Sequence, residues 1–136
     1  MILDQDKVLT LLPDEQRTRI ENASFTEVEA DAELWLRYSR AGISYESALR
    51  FRTVRAYRWT ADGHSHPTQR HDSLDSLIEV ANSQWVAELR KSQWEGVPGQ
   101  WTIRHFFVFV EDFGAYEIAA ESWSSIPERR QGLRIL

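Results

Sequence analysis

Alternation of apolar and polar residues predicts β-strands through most of the middle of the chain. In residues 34–38, apolar side chains recur at every second position, which is the repeat of a strand with one buried face. In residues 48–59 most alternate positions are apolar or aromatic, and the residues of this parity are Leu49, Phe51, Thr53, Tyr57 and Trp59. Residues 25–29 and Ser76–Val80 are shorter segments of the same kind. Together these segments predict an antiparallel sheet.

The last third of the chain predicts a hairpin. Residues 101–111 and 115–123 flank Asp112, Phe113 and Gly114, a three-residue loop in which the glycine takes the left-handed conformation. This loop predicts a register in which Val110 lies opposite Tyr116. The register creates a core face and a second face, which carries Phe107, Phe109, Glu117 and Trp123, with His105 directly beside Glu121.

Helical spacing is confined to short segments. Asn82 or Ser83 is placed to cap a main helix at about 83–93, and acids and Pro13 near the N-terminus indicate short helices over residues 7–12 and from Pro13 onward. The predicted fold class is α+β: a single antiparallel sheet of about five or six strands, with one main helix and the short N-terminal helices packed on it. The chain 1–136 is predicted to be one domain with a flexible tail at 127–136.

Composition narrows the function. With no cysteine, the chain has neither disulfides nor a thiolate nucleophile, and a cytoplasmic location is expected. The net charge of −5 argues against general binding of nucleic acid, which requires basic groups facing phosphates. No apolar run approaches the roughly 18 residues of a membrane span, so we expect no membrane association. No cofactor-binding motif is present, and none of the common enzyme signatures occurs.

Two groups of histidines are candidate chemical sites. His64, His66 and His71 lie close together in a polar segment and are weak candidates for metal ligands, although a solvated histidine-bearing loop is the simpler interpretation. On the second hairpin face, His105 with Glu121 or Glu117 is a candidate acid–base pair in aromatic surroundings. The alternatives are a structural pair that satisfies its own charges, or a partly exposed surface that binds a protein.

Arginines recur on one side of the longest predicted strand. Arg50, Arg52 and Arg58 are candidates for an anion site, or they form the solvent face of a strand whose neighbour supplies Glu27 and Glu29. The second interpretation is favoured because an acidic segment precedes the basic one.

Three segments carry a resemblance to known proteins. Residues 78–89, 105–112 and 116–123 form a strand running into an Asn-Ser-Gln-Trp helix start and a hairpin that ends in Glu-Ser-Trp. This pattern resembles small uncharacterised bacterial proteins, some of which are similar to immunity proteins that neutralise toxins. The resemblance implies a non-enzymatic bacterial protein whose partner is a toxin. The acids around the aromatic residues of the hairpin face favour a basic protein as that partner.

The leading hypothesis is therefore a protein-binding domain that uses an acidic and aromatic hairpin face. The predicted contact residues are Phe107, Phe109, Glu117, Glu121 and Trp123. The alternative is a small-molecule-binding or metal-binding domain, or an enzyme, that uses the histidine loop or the pair of His105 and Glu121. A homo-oligomer is a further hypothesis, because the apolar run at residues 106–110 would be hazardous on an unpaired edge.

Overall fold

A computed structural model describes residues 5–10, 18–61, 76–92 and 102–131 of the chain. These residues form a single antiparallel sheet of seven strands with order β1-β5-β6-β7-β4-β3-β2, together with one helix. The single sheet and main helix predicted from the sequence are confirmed. The elements are β1 (Gln5–Thr10), β2 (Thr18–Val28), β3 (Asp31–Arg40), β4 (Ile43–Thr60), β5 (Ser76–Val80), α1 (Gln84–Lys91), β6 (Arg104–Val110) and β7 (Gly114–Arg130).

The predicted N-terminal helix over residues 7–12 is wrong. Residues 7–10 belong to β1, which pairs antiparallel with β5 and brings Gln5 opposite Val80. A helix there would leave that edge of β5 without hydrogen-bond partners, so sheet pairing outweighs the weak local preference for helix. The second predicted helix, from Pro13, begins outside the described residues.

Two long strands form the spine of the sheet. β4 has 18 residues and β7 has 17, and they pair with each other along most of their length. β3 pairs only with residues 43–51 of β4, whereas β6 pairs only with residues 114–120 of β7. The sheet is therefore staggered, and each spine strand has one stretch that pairs on a single side within the described structure.

The sheet curves around its main core. Phe51 of β4 and Phe106 of β6 lie two strands apart, yet their ring centroids are 5.6 Å from each other, which requires a concave inner face. Burial of these apolar side chains is the main force that holds the fold. The inner cluster comprises Leu34, Leu36, Tyr38, Leu49, Phe51, Leu77, Phe106, Val108, Val110, Ile118 and Ala120.

α1 covers part of the outer face. Its Val86 packs with Ile103 and Ala119, while Ile78, Val80, Phe107, Phe109 and Ala115 form a second buried cluster on that face. The run at residues 106–110 is buried, and β6 lies between β5 and β7. It therefore does not form the exposed edge that motivated the oligomer hypothesis.

The predicted hairpin register is wrong by two residues. Val110 lies opposite Gly114 and Val108 opposite Tyr116, so the loop consists of residues 111–113. Asp112 takes the positive φ of 70° within this loop, and Gly114 instead begins β7 at φ 113°. A shift of two preserves the alternation of faces, which is why the core face was predicted correctly despite the error.

The flexible tail predicted at 127–136 begins too early. β7 continues to Arg130, which lies opposite Tyr45, and Glu128 forms a salt bridge with Arg40 at 2.6 Å. Pairing with β4 orders this polar segment although it contributes little apolar surface. Residues 132–136 lie outside the described part of the chain.

Candidate functional site

The predicted contact residues do not form one surface. Phe107, Phe109 and Glu117 are buried, so they present little area to a partner in the folded chain. Glu121 and Trp123 are partly exposed. Trp123 lies opposite Phe51 and packs against the inner core, not beside Phe107.

A buried pair of His105 and Glu117 occupies the outer face. Both residues are 6% exposed, and Nε2 of His105 lies 2.9 Å from Oε1 of Glu117. The two residues are diagonal neighbours, because His105 is directly opposite Ala119. The shift of register thus replaces the predicted pair of His105 and Glu121 with His105 and Glu117.

Arg58 completes the charge balance of this pair. It lies directly opposite Glu117, and its Nε and Nη2 donate to the two carboxylate oxygens at 2.7 and 3.2 Å. The guanidinium carbon also lies 4.4 Å from the ring centroid of Trp85 in α1, within cation–π range. Arg58 therefore ties the buried carboxylate to the helix.

Ser83 links the histidine to the start of α1. Its Oγ lies 2.7 Å from Nδ1 of His105 and accepts a hydrogen bond from the Val86 backbone N–H at 3.1 Å. An ionised Glu117 can only accept, so Nε2 of the imidazole carries a hydrogen, and in the neutral ring Nδ1 accepts from the Ser83 hydroxyl. Trp85 adds an edge contact to the imidazole, with centroids 5.0 Å apart.

The electrostatics of this polar cluster (Arg58, Ser83, His105 and Glu117) favour a fixed charge state. Burial by itself raises the pKa of Glu117, but hydrogen bonds from His105 and Arg58 outweigh it and lower the pKa to about 2. The Glu117 carboxylate thus receives three hydrogen bonds, and both imidazole nitrogens have a partner. Such a cluster fastens α1 onto β6 and β7.

The remaining predicted sites are dispersed. Glu121 lies 3.6 Å from Arg55 and does not contact the histidine pair. His64, His66 and His71 lie outside the described residues. Among the residues that are described, no three His, Cys, Asp or Glu side chains are grouped to hold a metal ion.

The arginine row is mostly paired, but with other acids than those predicted. Arg50 forms salt bridges with Asp31 at 2.9 Å and Glu33 at 3.3 Å, because β3 and not β2 is the neighbour of β4. Arg58 pairs with Glu117. These two arginines therefore stabilise the sheet. An anion site formed by Arg50, Arg52 and Arg58 would require breaking those salt bridges.

A separate pocket opens on the inner face. It has a volume of about 310 Å³. The lining includes four aromatic rings from three strands, with one from β2, two from β4 and one from β7. The lining residues are Phe25, Tyr57, Arg58, Trp59, Tyr116, Glu117 and Ile118.

Curvature of the sheet assembles this aromatic pocket (Phe25, Tyr57, Trp59 and Tyr116). Phe25 of the edge strand β2 reaches over to Tyr57, with ring centroids 4.7 Å apart, and to Tyr116 at 6.3 Å. Tyr57 and Trp59 are 47% and 56% exposed, which is unusual for aromatic side chains of this size. Aromatic rings that are exposed along an open pocket are available to a ligand.

Polar contacts fix the rim of the pocket. The Trp59 indole N–H donates to the Phe113 carbonyl at 2.9 Å. The Tyr57 hydroxyl donates to the Glu27 carboxylate, and this hydrogen bond raises the pKa of Tyr57. Glu27 therefore places a carboxylate at the edge of the ring cluster.

Gly114 makes room for the Trp59 ring. A Cβ at this position would collide with the Thr60 carbonyl oxygen and lie 2.6 Å from the Trp59 indole nitrogen. The φ of 113° also disfavours any side chain there. The glycine is thus required by close approach inside β7, and not by the turn.

The sequence pattern did not reveal the aromatic pocket. Tyr57 and Trp59 share a parity with Leu49 and Phe51, and all four were assigned to one buried face. Ser83 was recognised as a cap, but its contact with His105 depends on the packing of α1. The available signal was the pair of large aromatic residues, Tyr57 and Trp59, at the end of the longest predicted strand.

Comparisons with known proteins leave the function open. The chain matches no protein-family model, no curated protein and no solved structure. In the described part of the chain, the helix is too short to cross a bilayer.

Proposed function

We propose that this chain is a non-enzymatic, cytoplasmic bacterial protein-binding domain that holds a cationic side chain of a basic partner in its aromatic pocket. The main observation that supports this proposal is the set of four aromatic rings around a pocket of about 310 Å³. A Lys or Arg side chain placed over aromatic faces is attracted by the ring quadrupoles. A partner of this kind would include a basic toxin, as expected for an immunity-like protein.

Exposure of the rings supports a binding role. Leaving Tyr57 and Trp59 half exposed forgoes hydrophobic stabilisation that a covered position would supply. Tyrosine and tryptophan are also the residues that most often dominate binding energy at protein interfaces. The pocket is at the lower end of ligand-site volumes, which suits one side chain better than a large cofactor.

Charge supports a cationic occupant. Glu27 holds a carboxylate at the rim through the Tyr57 hydroxyl, and the chain as a whole carries a net charge of −5. Arg58, which also lines the pocket, is neutralised by its salt bridge with Glu117. A basic partner would be attracted over long range and would find a carboxylate next to the rings.

A titration with a single cationic side chain tests the pocket directly. N-acetyl-lysine methylamide is added to the ¹⁵N-labelled protein, and the tryptophan indole and backbone amide resonances are followed, with N-acetyl-glutamate methylamide as the charge control. We expect saturable shifts of the Trp59 indole and of the backbone amides of Tyr57 and Tyr116 with the lysine derivative alone. The backbone amide shifts should disappear in Trp59→Leu and persist in Trp35→Leu, since Trp35 contacts Glu33 and Arg129 away from the pocket.

Equal shifts with the lysine and glutamate derivatives, or shifts unchanged in Trp59→Leu, would refute a cation-binding pocket. The immunity-like part of the proposal has its own test. We expect a toxin gene next to this gene. This protein should relieve the growth inhibition caused by that toxin, and Trp59→Leu should relieve it less. Relief that is identical in the variant would separate the immunity role from the pocket.

A second candidate function is acid–base catalysis, favoured by one observation. Ser83, His105 and Glu117 form a continuous hydrogen-bonded chain, and the first two line a pocket of about 430 Å³. A hydroxyl bonded to a histidine that is held by a carboxylate is the arrangement of an activated serine. Covalent labelling by a fluorophosphonate probe that is lost in Ser83→Ala would support an enzyme. An absence of labelling would indicate that the cluster only stabilises the fold.

A further inference from the structure

The stagger of the sheet leaves residues 56–60 of β4 paired on one side only within the described part of the chain. Residues 56–60 of β4 pair with β7 in continuous register from Ala56↔Ala119 to Thr60↔Ala115. No described strand pairs with their other side, because β3 ends its pairing at Phe51. An open strand edge presents backbone N–H and C=O groups that can pair with another chain.

The neighbouring part of β4 is already closed. The backbone N–H of Val54 donates to the Ala30 carbonyl at 2.8 Å, and that of Thr53 donates to Asp31 Oδ1 at 3.0 Å. The turn between β2 and β3 thus covers the edge as far as residue 54. The open stretch begins just beyond the register shift between Val54 and Ala56.

Other strand stretches in the described structure also pair on one side only. Residues 22–28 of β2 and 122–126 of β7 are in continuous register, while β1 has a register shift between Lys7 and Leu9. Bulges and prolines are common ways to protect sheet edges, and they occur elsewhere in these strands, at Ile20/Asn22 in β2 and at Pro127 in β7. Residues 56–60 differ from the other stretches because they carry two of the four pocket rings.

The open edge and the aromatic pocket coincide. Tyr57 and Trp59 both belong to residues 56–60 and both line the pocket. Side chains of an added strand alternate between the two sheet faces, so every second residue would lie beside these rings. A single bound segment could form backbone hydrogen bonds with the open strand edge and fill the pocket at the same time.

We propose that the partner contributes an extended, basic segment that pairs with residues 56–60 of β4 and inserts a Lys or Arg side chain into the aromatic pocket. This inference rests on the proposed function and adds the conformation of the ligand to it. Backbone hydrogen bonds supply affinity in such strand addition, while the pocket selects the side chain. The rim carboxylate of Glu27 and the net charge of −5 favour a basic segment over an acidic one.

Backbone methylation of a model peptide separates strand pairing from side-chain binding. The probe is the heptapeptide acetyl-Thr-Lys-Thr-Lys-Thr-Lys-Thr-amide, and two analogues carry N-methyl groups on the amides of one edge or the other. Because only one edge of the peptide faces β4, we expect one analogue to bind about tenfold more weakly and the other to bind like the parent. Comparing the two analogues controls for the conformational effect of methylation.

Hydrogen exchange locates the bound peptide. The parent peptide should slow exchange of backbone amides within residues 56–60 and leave those of β2, the outermost strand on that side, unchanged. Equal affinity of all three peptides, or protection on β2 instead, would overturn strand addition. Protection of residues 56–60 that increases with protein concentration in the absence of peptide would assign the edge to a second copy of the chain and would also overturn it.

The two levels of the proposal fail differently. If N-acetyl-lysine methylamide binds at Trp59 but both methylated peptides bind like the parent, the cation-binding pocket is supported and strand addition is refuted. If a single methylated analogue loses affinity but Trp59→Leu binds the parent peptide normally, strand addition is supported and the cation-binding pocket is refuted.

Discussion

The polar cluster and the aromatic pocket are built from the same two strands and differ in almost every respect. Arg58 and Glu117 face each other across β4 and β7, and the next pair along, Trp59 and Tyr116, points to the opposite side. On the outer face the carboxylate is buried and fully hydrogen-bonded, whereas on the inner face an indole is 56% exposed. The inner face of the same strands carries the main core further along. At residues 58–59 and 116–117, however, the difference indicates that the outer side stabilises the fold and the inner side is free to bind.

Substitution of Gly114 should have the largest effect, because it disturbs the strand pair itself. Gly114→Ala combines a φ of 113° with a collision against Thr60 and Trp59, and we expect it to lower the free energy of unfolding by about 3 kcal/mol. Gly42→Ala is the matched control, since Gly42 also has a positive φ but no atom within 4 Å of a Cβ. Urea denaturation measures both, and equal losses would show that close approach to Trp59 is unimportant.

Removing the charge of Glu117 tests whether the polar cluster on the outer face stabilises the fold. Glu117→Gln keeps the shape but weakens the bonds from His105 and Arg58, so we expect a loss of about 2 kcal/mol of unfolding free energy by urea denaturation. Glu121→Gln is the control, because Glu121 is partly exposed and 3.6 Å from Arg55, and it should cost less than about 0.5 kcal/mol. Similar losses in the two variants would contradict a special role for the buried cluster.

The same carboxylate predicts a pH dependence. The pKa of Glu117 is about 2 in the folded chain against an ordinary value of 4.5, so the unfolded state binds more protons as the pH falls. Its stabilising contribution should be complete above about pH 5 and should be lost progressively toward about pH 2, by roughly 3 kcal/mol. In Glu117→Gln the stability curve should be flatter over this range, and an unchanged slope would mean that other carboxylates govern acid unfolding.

Substitution of Trp59 should have the smallest effect on stability. Trp59→Leu removes a half-exposed ring and one exposed hydrogen bond to Phe113, and we expect it to change the unfolding free energy by less than about 1 kcal/mol. Circular dichroism with urea checks this expectation. A loss as large as that of Glu117→Gln would mean that the aromatic pocket is part of the structural core, and the contrast between the faces would disappear.

Alternation along the chain predicted the sheet, because strands such as β3 bury one side regularly: Leu34, Leu36 and Tyr38 are all buried. The hairpin faces were likewise predicted for residues 105–120, since a register error of two residues keeps these side chains on their own side. Trp123 is the exception, because it packs against the inner core instead of the predicted outer face. The register itself was not predictable from the turn. Asp112, and not Gly114, supplies the left-handed residue of the loop, because Gly114 is needed where the chain approaches Trp59.

The aromatic pocket depends on features that local patterns do not contain. Phe25 reaches Tyr57 only because the sheet curves, and Tyr57 stays exposed only because β3 stops pairing before it. The sequence left the partner of His105 open between Glu121 and Glu117 for a similar reason, because long-range packing decides that it is Glu117. Long-range geometry therefore decides which aromatic residues are buried and which are available.

The most direct test of the contrast is a nuclear Overhauser experiment on the protein with N-acetyl-lysine methylamide. We expect intermolecular contacts between the ε-methylene protons of the probe and the ring protons of Trp59 and Tyr57, and none to Trp85, whose ring is covered by Arg58 in the polar cluster. Contacts to Trp85 in place of Trp59, or no contacts at saturating probe, would contradict the assignment of binding to the inner face.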